Sequence, residues 1–486
     1  MTDFSASLSA PAPSAESVPL PRGRRRTELL MLAFAVAVVA LADAAVGLGL
    51  NGGVPASLVG YIGGFALIML GAHFCVRWLA PWADPLMLPL AALLNGLGVV
   101  MIYRLQESGR HGNPGNVIGT LSGSATITQL VWTLIGVAAF VLVLFAIREP
   151  RVLQRYTYTL GAVGLILLAI PALLPASMSS VQGAKVWIIL GGFEIQPGEF
   201  AKLALAVFFA GYLVNKRDVL ALAGRRLLGI DLPRGRDLGP VLIAWGASLL
   251  ILVFETDIGT SALFFGMFVA MIYVATQRTS WLLIGFVLFL GGAWVASTIF
   301  GHVGARFTAW LQPFTHANVF CTAAQTHCVS SYQLAQGMYG MAFGGILGTG
   351  LGHGQPFFTP LAQSDFIITA FGEELGLTGL MAMLLIFGLL VQRGLRAAIA
   401  VKDPFAKLLA GGLAFVLALQ VFVIVGGVTR LIPLTGITTP FLSQGGSSLV
   451  ASWALIAVLM RVSDTARRPA PQPIQDEGMT QVVRAG

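Results

Sequence analysis

A succession of apolar runs, most of them near twenty residues long, constrains this chain more than any other feature of its sequence. They fall near 28–50, 57–80, 84–103, 127–147, 155–176, 198–214, 238–255, 258–276, 280–300, 366–391, 404–428 and 446–461. At ~1.5 Å of rise per residue, such a run taken as a helix crosses the ~30 Å hydrocarbon layer of a bilayer. Within lipid every backbone N–H and C=O must be satisfied in a helix or in a closed barrel. Barrel strands alternate apolar with polar residues over ~10 positions, whereas the runs here are continuous. Only 10% of the 486 residues are Asp, Glu, Lys or Arg, against ~25% in a soluble domain. So few charges could not cover a water-soluble body of this size. The expected fold is an all-α polytopic membrane protein with about twelve transmembrane helices and one large loop.

In a soluble chain the net charge of +8 would suggest a nucleic-acid partner. Here the cations sort by loop, so no nucleic acid is expected and the lipid bilayer takes its place. Alternate loops carry Arg148, Arg151 and Arg155, then Lys216, Arg217, Arg225, Arg226, Arg234 and Arg236, then Arg393, Arg396 and Lys402, then Arg461, Arg467 and Arg468. The intervening loops hold little more than Arg104, Arg110, Lys185, Arg306 and Arg430. Lys and Arg favour cytoplasmic loops, which predicts a multi-pass protein of the plasma (inner) membrane with both termini cytoplasmic.

Residues 1–27, rich in Ser, Ala and Pro and closed by Arg22, Arg24, Arg25 and Arg26, read as a disordered cytoplasmic tail. The following run is too long for a signal-peptide h-region and reads as an uncleaved span. Residues 463–486 read as a second disordered tail. The large outer loop, 301–365, carries Trp310, Phe314, Tyr332 and Tyr339 among many glycines. Loops longer than ~15 residues are usually functional or disordered, and this aromatic content favours function. Cys321 and Cys328 lie in it and are read either as a disulfide or as two unpaired thiols, while Cys75 reads as a packed small residue.

Charges inside apolar spans cost ~2.5–3.5 kcal/mol at the centre on insertion scales, so each calls for a reason. Glu199 and Lys202 follow Pro197 at i and i+3 and share a face at a helix start. They are either a self-satisfied ion pair or an amine aimed at phosphate and held by its carboxylate neighbour. Glu255 and Asp257 sit at a break before Gly259, by itself a weak signal. Asp365 lies at the outer mouth where the large loop enters a span, and it favours function. Glu373 and Glu374 lie two to three turns deeper. Adjacent glutamates there cannot both be charged cheaply, which favours a structural role with a partner or a proton. The stretch 429–448, with Arg430 and several Pro, Gly, Thr and Ser, fits a re-entrant wall of a polar cavity. Together these residues suit an anionic lipid-linked substrate handled on the outer side.

At these residues the chain resembles the SEDS family (shape, elongation, division and sporulation), the RodA/FtsW group of peptidoglycan glycosyltransferases. The family's QPSEFAK is matched by IleGlnProGlyGluPheAlaLys at 195–202, and its PDLGTA by ThrAspIleGlyThrSerAla at 256–262. Its TDFIFAxxxEELG is SerAspPheIleIleThrAlaPheGlyGluGluLeuGly at 364–376. Its PxTGxxLPFxSYGGSS is ProLeuThrGlyIleThrThrProPheLeuSerGlnGlyGlySerSer at 433–448. The likeness covers about 84–462 as a ten-span core, leaving 28–83 as two additional N-terminal spans. The cysteine pair and the ThrThrPro wording are most similar to actinobacterial RodA-type members. Gly198, Thr256, Ser364, Gln444 and Val186 depart from the family's usual residues, but Glu199, Lys202, Asp257 and Asp365 are all present.

The resemblance implies polymerisation of lipid II, in which an acceptor hydroxyl displaces undecaprenyl diphosphate from a donor sugar during elongation or division. A general base is then needed, and Asp365 is the expected one. Lys202, Glu199, Arg306, Asp257 and Arg430 become substrate-binding candidates. A divalent cation, Mg or Mn, would take Glu199 and Asp257 as oxygen ligands. The resemblance also implies a class B penicillin-binding protein as partner, a single-span transpeptidase. Gly379 and Ala382 offer a small-residue face for it. Rival readings are a lipid II flippase and a non-catalytic scaffold of the cell-wall synthesis complex.

Overall fold

The computed structural model describes residues 22–55, 58–111, 125–181, 184–190, 193–220, 223–227, 230–233, 243, 246–247, 257–315 and 331–469. Its main helices are α1 (Arg22–Asn51), α2 (Leu58–Leu79), α3 (Met87–His111), α4 (Ala125–Ala146), α5 (Thr157–Leu173) and α6 (Pro197–Leu220). They continue as α7 (Ile258–Thr276), α8 (Ser280–Ile299), α9 (Gly301–Leu311), α10 (Tyr332–Gly344), α11 (Ile367–Ala400), α12 (Pro404–Val428) and α13 (Gly446–Arg467). Among the described residues, 11 helical segments are long and apolar enough to cross a membrane, all of these helices except α9 and α10. The chain is an all-α polytopic membrane protein. The run predicted near 238–255 lies outside the described residues, apart from positions 243, 246 and 247. Three two-stranded antiparallel hairpins, two of them between α5 and α6, complete the described structure.

Helix starts follow local chemistry. Pro404 opens α12 where its missing N–H costs nothing, and the Asp403 carboxylate accepts from the Ala406 N–H at 2.9 Å. Asp257 does the same for α7, accepting from the N–H groups of Gly259 (2.9 Å) and Thr260 (3.1 Å). Helix α11 is broken at Gly376, whose φ of +67° is strained for any residue with a Cβ.

Helix α13 is the axis of the bundle, with 94% of its spanning window buried against 17% for the peripheral α8. Its Ser447, Ser448, Ala451, Ser452 and Ala457 are small enough for close helix approach. The large exception, Trp453, sits over Gly136, where an added Cβ would lie 2.7 Å from the indole. Its ring meets Phe140 and Phe441 edge-on, with centroids 5.7 and 5.6 Å away.

The start of α1 and the end of α13 share one end of the bundle. Asp464, near the end of α13, accepts from the Trp82 N–H at 2.8 Å, and Arg467 pairs with Asp84 beside the start of α3. Glu28 of α1 pairs with His73 of α2 at 2.8 Å.

One expectation is corrected. Arg104 and Arg461 are not loop cations but buried residues within α3 and α13. Within the large loop 301–365 the chain forms α9 and α10.

Candidate active site

The chemistry-bearing residues converge at the end of the bundle opposite the start of α1 and the end of α13. Pro197 starts α6 just after the second hairpin, and this short N-terminal turn sets Glu199 and Lys202 side by side. Both are buried and form an ion pair. Lys202 also donates to the Gln420 Oε1 at 3.0 Å, and the Gln420 amide donates to the Thr438 carbonyl at 3.0 Å. The lysine is thus tied through α12 to the stretch 429–445. The Ser447 hydroxyl accepts from the Gln196 N–H at 2.9 Å, joining the start of α6 to α13.

The stretch 429–445 has no regular structure and closes one side of the site. Two of its residues, Arg430 and Phe441, have φ near +63°, and Leu361 in the facing turn has φ +57°. Such left-handed backbone in residues with side chains clusters where structure is over-determined for function. Buried hydroxyls of Thr438, Thr439 and Ser448 carry no hydrogen-bond partner.

Asp365 sits on the last turn before α11, half-buried. Its Oδ1 accepts from the Ser364 hydroxyl at 2.9 Å. The turn is clamped from the opposite side: the Ser443 hydroxyl donates to the Ser364 carbonyl, and the Gln444 N–H donates to the Gln363 carbonyl at 2.7 Å. Gln333 of α10 holds the Pro360 carbonyl at 2.9 Å. Arg306 of α9 donates to the Thr435 carbonyl at 3.3 Å and lies near enough to act on both Asp257 and Asp365. Burial pushes both carboxyls above the usual carboxylate range, Asp365 to about 6, while the Arg306 charge draws both down. The Asp365 carboxyl therefore changes charge near pH 6, where it can exchange a proton with a hydroxyl.

The predicted residues therefore divide. Asp365, Arg306 and Asp257 are gathered around 435–444, with Lys202 and Glu199 adjacent through Gln420. Arg430 is engaged elsewhere: it is exposed, and its guanidinium donates to the Trp310 and Leu311 carbonyls, both at 2.9 Å, at the C-terminus of α9. Glu374 pairs with Arg104 at 2.6 Å, and Glu373 accepts from the Gln355 N–H. Cys321 and Cys328 lie outside the described residues; Cys75 is an unpaired thiol.

The sequence reading missed Gln420 and Ser443, because a lone Gln in an apolar helix and one Ser among many carry no distinctive signal.

The donors do not make a prepared divalent-cation site. Glu199 is committed to Lys202, and both Asp257 oxygens accept from the first turn of α7. Among the described residues no group of three His, Cys, Asp or Glu is placed to hold a metal.

The family model for the cell cycle proteins FtsW, RodA and SpoVE matches residues 85–468. The chain belongs to this family. The FtsW/RodA/SpoVE chain is 50% identical over 421 residues to the peptidoglycan glycosyltransferase RodA of Mycobacterium bovis, covering 86% of each chain. It is 33% identical over 307 residues to the stage V sporulation protein E of Bacillus subtilis, covering 62% of this chain and 77% of the other. Among solved structures it is similar to a point mutant of the Thermus thermophilus rod shape determining protein RodA. That match has a TM-score of 0.53 and 21% identity, over 80% of this chain and 99% of the other. A second similar structure belongs to a peptidoglycan synthase complex described for its coordination of polymerization and crosslinking. Its TM-score is 0.52 and its identity 22%, over 84% of this chain and 98% of the other. Both show the SEDS fold.

Two of the departures from the family wording fit the site's geometry. A Cβ at Gly198 would meet only Leu168 and Thr260 at 3.8 Å, so the family's serine and this glycine fit the same space. Ser364 keeps the hydroxyl that its threonine counterpart would direct at Asp365.

Proposed function

We infer that this chain is a peptidoglycan glycosyltransferase that polymerises lipid II at the outer face of the cytoplasmic membrane, and that Asp365 is its general base. The mycobacterial relatives are named for that transferase activity. The observation that carries the residue assignment is the half-buried Asp365 carboxyl, raised to about 6, on a turn held by Ser443 and facing Arg306. Ionised, it accepts the proton of the attacking 4-hydroxyl as the new glycosidic bond forms. The donor's C1–O bond breaks and its electron pair leaves with the diphosphate. Arg306 and Lys202 are the cations within this cluster suited to the diphosphate charge. Holding Lys202 between Glu199 and Gln420 fixes its ammonium without long-chain entropy to lose on binding. A divalent ion, if one acts here, would come with the diphosphate rather than from a prepared protein site, and no step depends on it.

The end of the bundle that carries the start of α1 and the end of α13 is assigned to the cytoplasm by the positive-inside bias, which puts Asp365 outside. A class B penicillin-binding protein is the proposed partner, consistent with the fold match to a synthase complex. The face after the α11 break is the proposed contact, with Met381 and Ala382 exposed on it. Gly379 is a poor probe of that face, because its Cβ would lie 2.2 Å from the Leu375 Cβ. Ala382→Leu is the cleaner test.

The decisive experiment is glycan synthesis by detergent-purified protein given lipid II. A flippase has no compartment to act across in detergent and a scaffold has no chemistry, so polymer formation lost on Asp365→Asn separates the three readings.

A further inference from the structure

We propose that the two N-terminal helices α1 and α2, which precede the region shared with the family, act as a brace that positions the loop carrying Asp365. This rests on the reading of Asp365 as the base. The contact is made by backbone and by the His353 ring. A Cβ added at Gly49, on the last turn of α1, would lie 2.4 Å from the Leu351 carbonyl oxygen and 3.1 Å from the Gly352 Cα. On the other side, Gly352 has φ +88°, and its Cβ would lie 2.9 Å from the Val46 carbonyl. Glycine on both partners lets the helix and loop backbones approach closely, with the His353 ring packed beside Gly49. Leu351 adds a side-chain anchor, packing on the cluster of Val39, Val46, Ile62, Val100 and Tyr103 contributed by α1, α2 and α3.

The opposite side of the same stretch is tied by buried charges. The Gly352 N–H donates to Glu374 at 3.2 Å, Arg104 donates to the Gly354 carbonyl at 2.7 Å, and the Gln355 N–H donates to Glu373. Residues 351–355 are thus gripped between α1 and the Arg104–Glu374 pair. From there the chain runs through buried Pro356 and the short turn Pro356–Phe358 into the turn of Asp365. Irregular backbone near membrane depth is tolerated only where protein covers it, and α1 supplies that cover.

The test uses the full-length protein in nanodiscs and compares Gly49→Val with Gly60→Val, since nothing lies within 4 Å of a Cβ at Gly60. Two quantities are read: amide hydrogen exchange across 349–366, and kcat and KM for lipid II. Misplacement by ~1 Å costs on the order of 10²-fold in rate. Gly49→Val is therefore expected to speed exchange in 349–366 and to lower kcat at least about tenfold, with KM within about twofold and the melting temperature nearly unchanged. Gly60→Val should do none of this. If Gly49→Val does not fold, Leu351→Ala releases the same anchor and should show the same split in smaller measure. Unchanged exchange in 349–366 for the folded variants overturns the brace, and so does faster exchange with undiminished kcat. If the wild-type protein makes no polymer, the functional reading fails, while the exchange comparison still decides whether α1 holds the loop.

Discussion

Replacing Glu374 by Gln should destabilise the protein by about 3–5 kcal/mol, the usual cost of stripping one partner from a buried ion pair. The side chain is 0% exposed and accepts from Arg104 at 2.6 Å, and Arg104 is itself 1% exposed. Glutamine keeps the volume and an acceptor for the Gly352 N–H but leaves the guanidinium without its directly paired carboxylate, Glu373 being the acid that remains near it. The remaining hydrogen-bond partners of Arg104 are the neutral Ser108 hydroxyl and the Gly354 carbonyl. Arg104→Gln leaves the mirror problem, a buried carboxylate whose remaining partner is the Gly352 N–H, and should cost a similar amount. The double variant, with two neutral amides in place of two ions, should recover at least ~2 kcal/mol of the summed loss. Reversible unfolding of the purified protein in mixed micelles, run on all four forms, gives the coupling energy. Single losses under ~1 kcal/mol, or a double variant equal to the sum, would show that the pair does not carry the fold as argued here.

Lys202→Met leaves Glu199 buried without its partner, so it should lose stability as well as activity. Adding Glu199→Gln should restore the stability while polymerisation stays absent, and recovery of both together would make the pair purely structural. Ser443→Ala removes the donor to the Ser364 carbonyl and the acceptor for the Thr439 N–H. It should lower kcat about tenfold with KM for lipid II little changed, read by steady-state kinetics, and an unchanged kcat would remove Ser443 from the positioning of Asp365.

The spans were legible because a bilayer leaves the backbone few choices. The apolar runs 258–276 and 404–428 coincide with α7 and α12 to within a residue. Asp365 was legible because a carboxylate beside a span is costly enough to need a reason. The pairing of Lys202 with Glu199 followed from i, i+3 spacing on one helix face. Arg104 was misplaced because hydropathy averages over a window and cannot tell a helix-end arginine in water from one buried on Glu374, 270 residues away. Gln420 and Ser443 act through partners brought together only by tertiary packing. Gly49 and Gly352 show the same limit: each is one glycine among 58 until the other is placed against it.

Whether Asp365 is the base of a lipid II polymerase is decided by the pH dependence of kcat/KM for the wild-type protein and Asp365→Asn. A base must be ionised to act, and burial raises this carboxyl from 3.8 to about 6. Wild-type kcat/KM should therefore climb as pH rises through about 6 and then level off, since the protonated carboxyl below that pH cannot accept the hydroxyl proton. Asp365→Asn should lie ~10²–10⁴-fold lower and lack that rise. A variant that polymerises lipid II at near wild-type rate, with the same acid limb, would contradict the account.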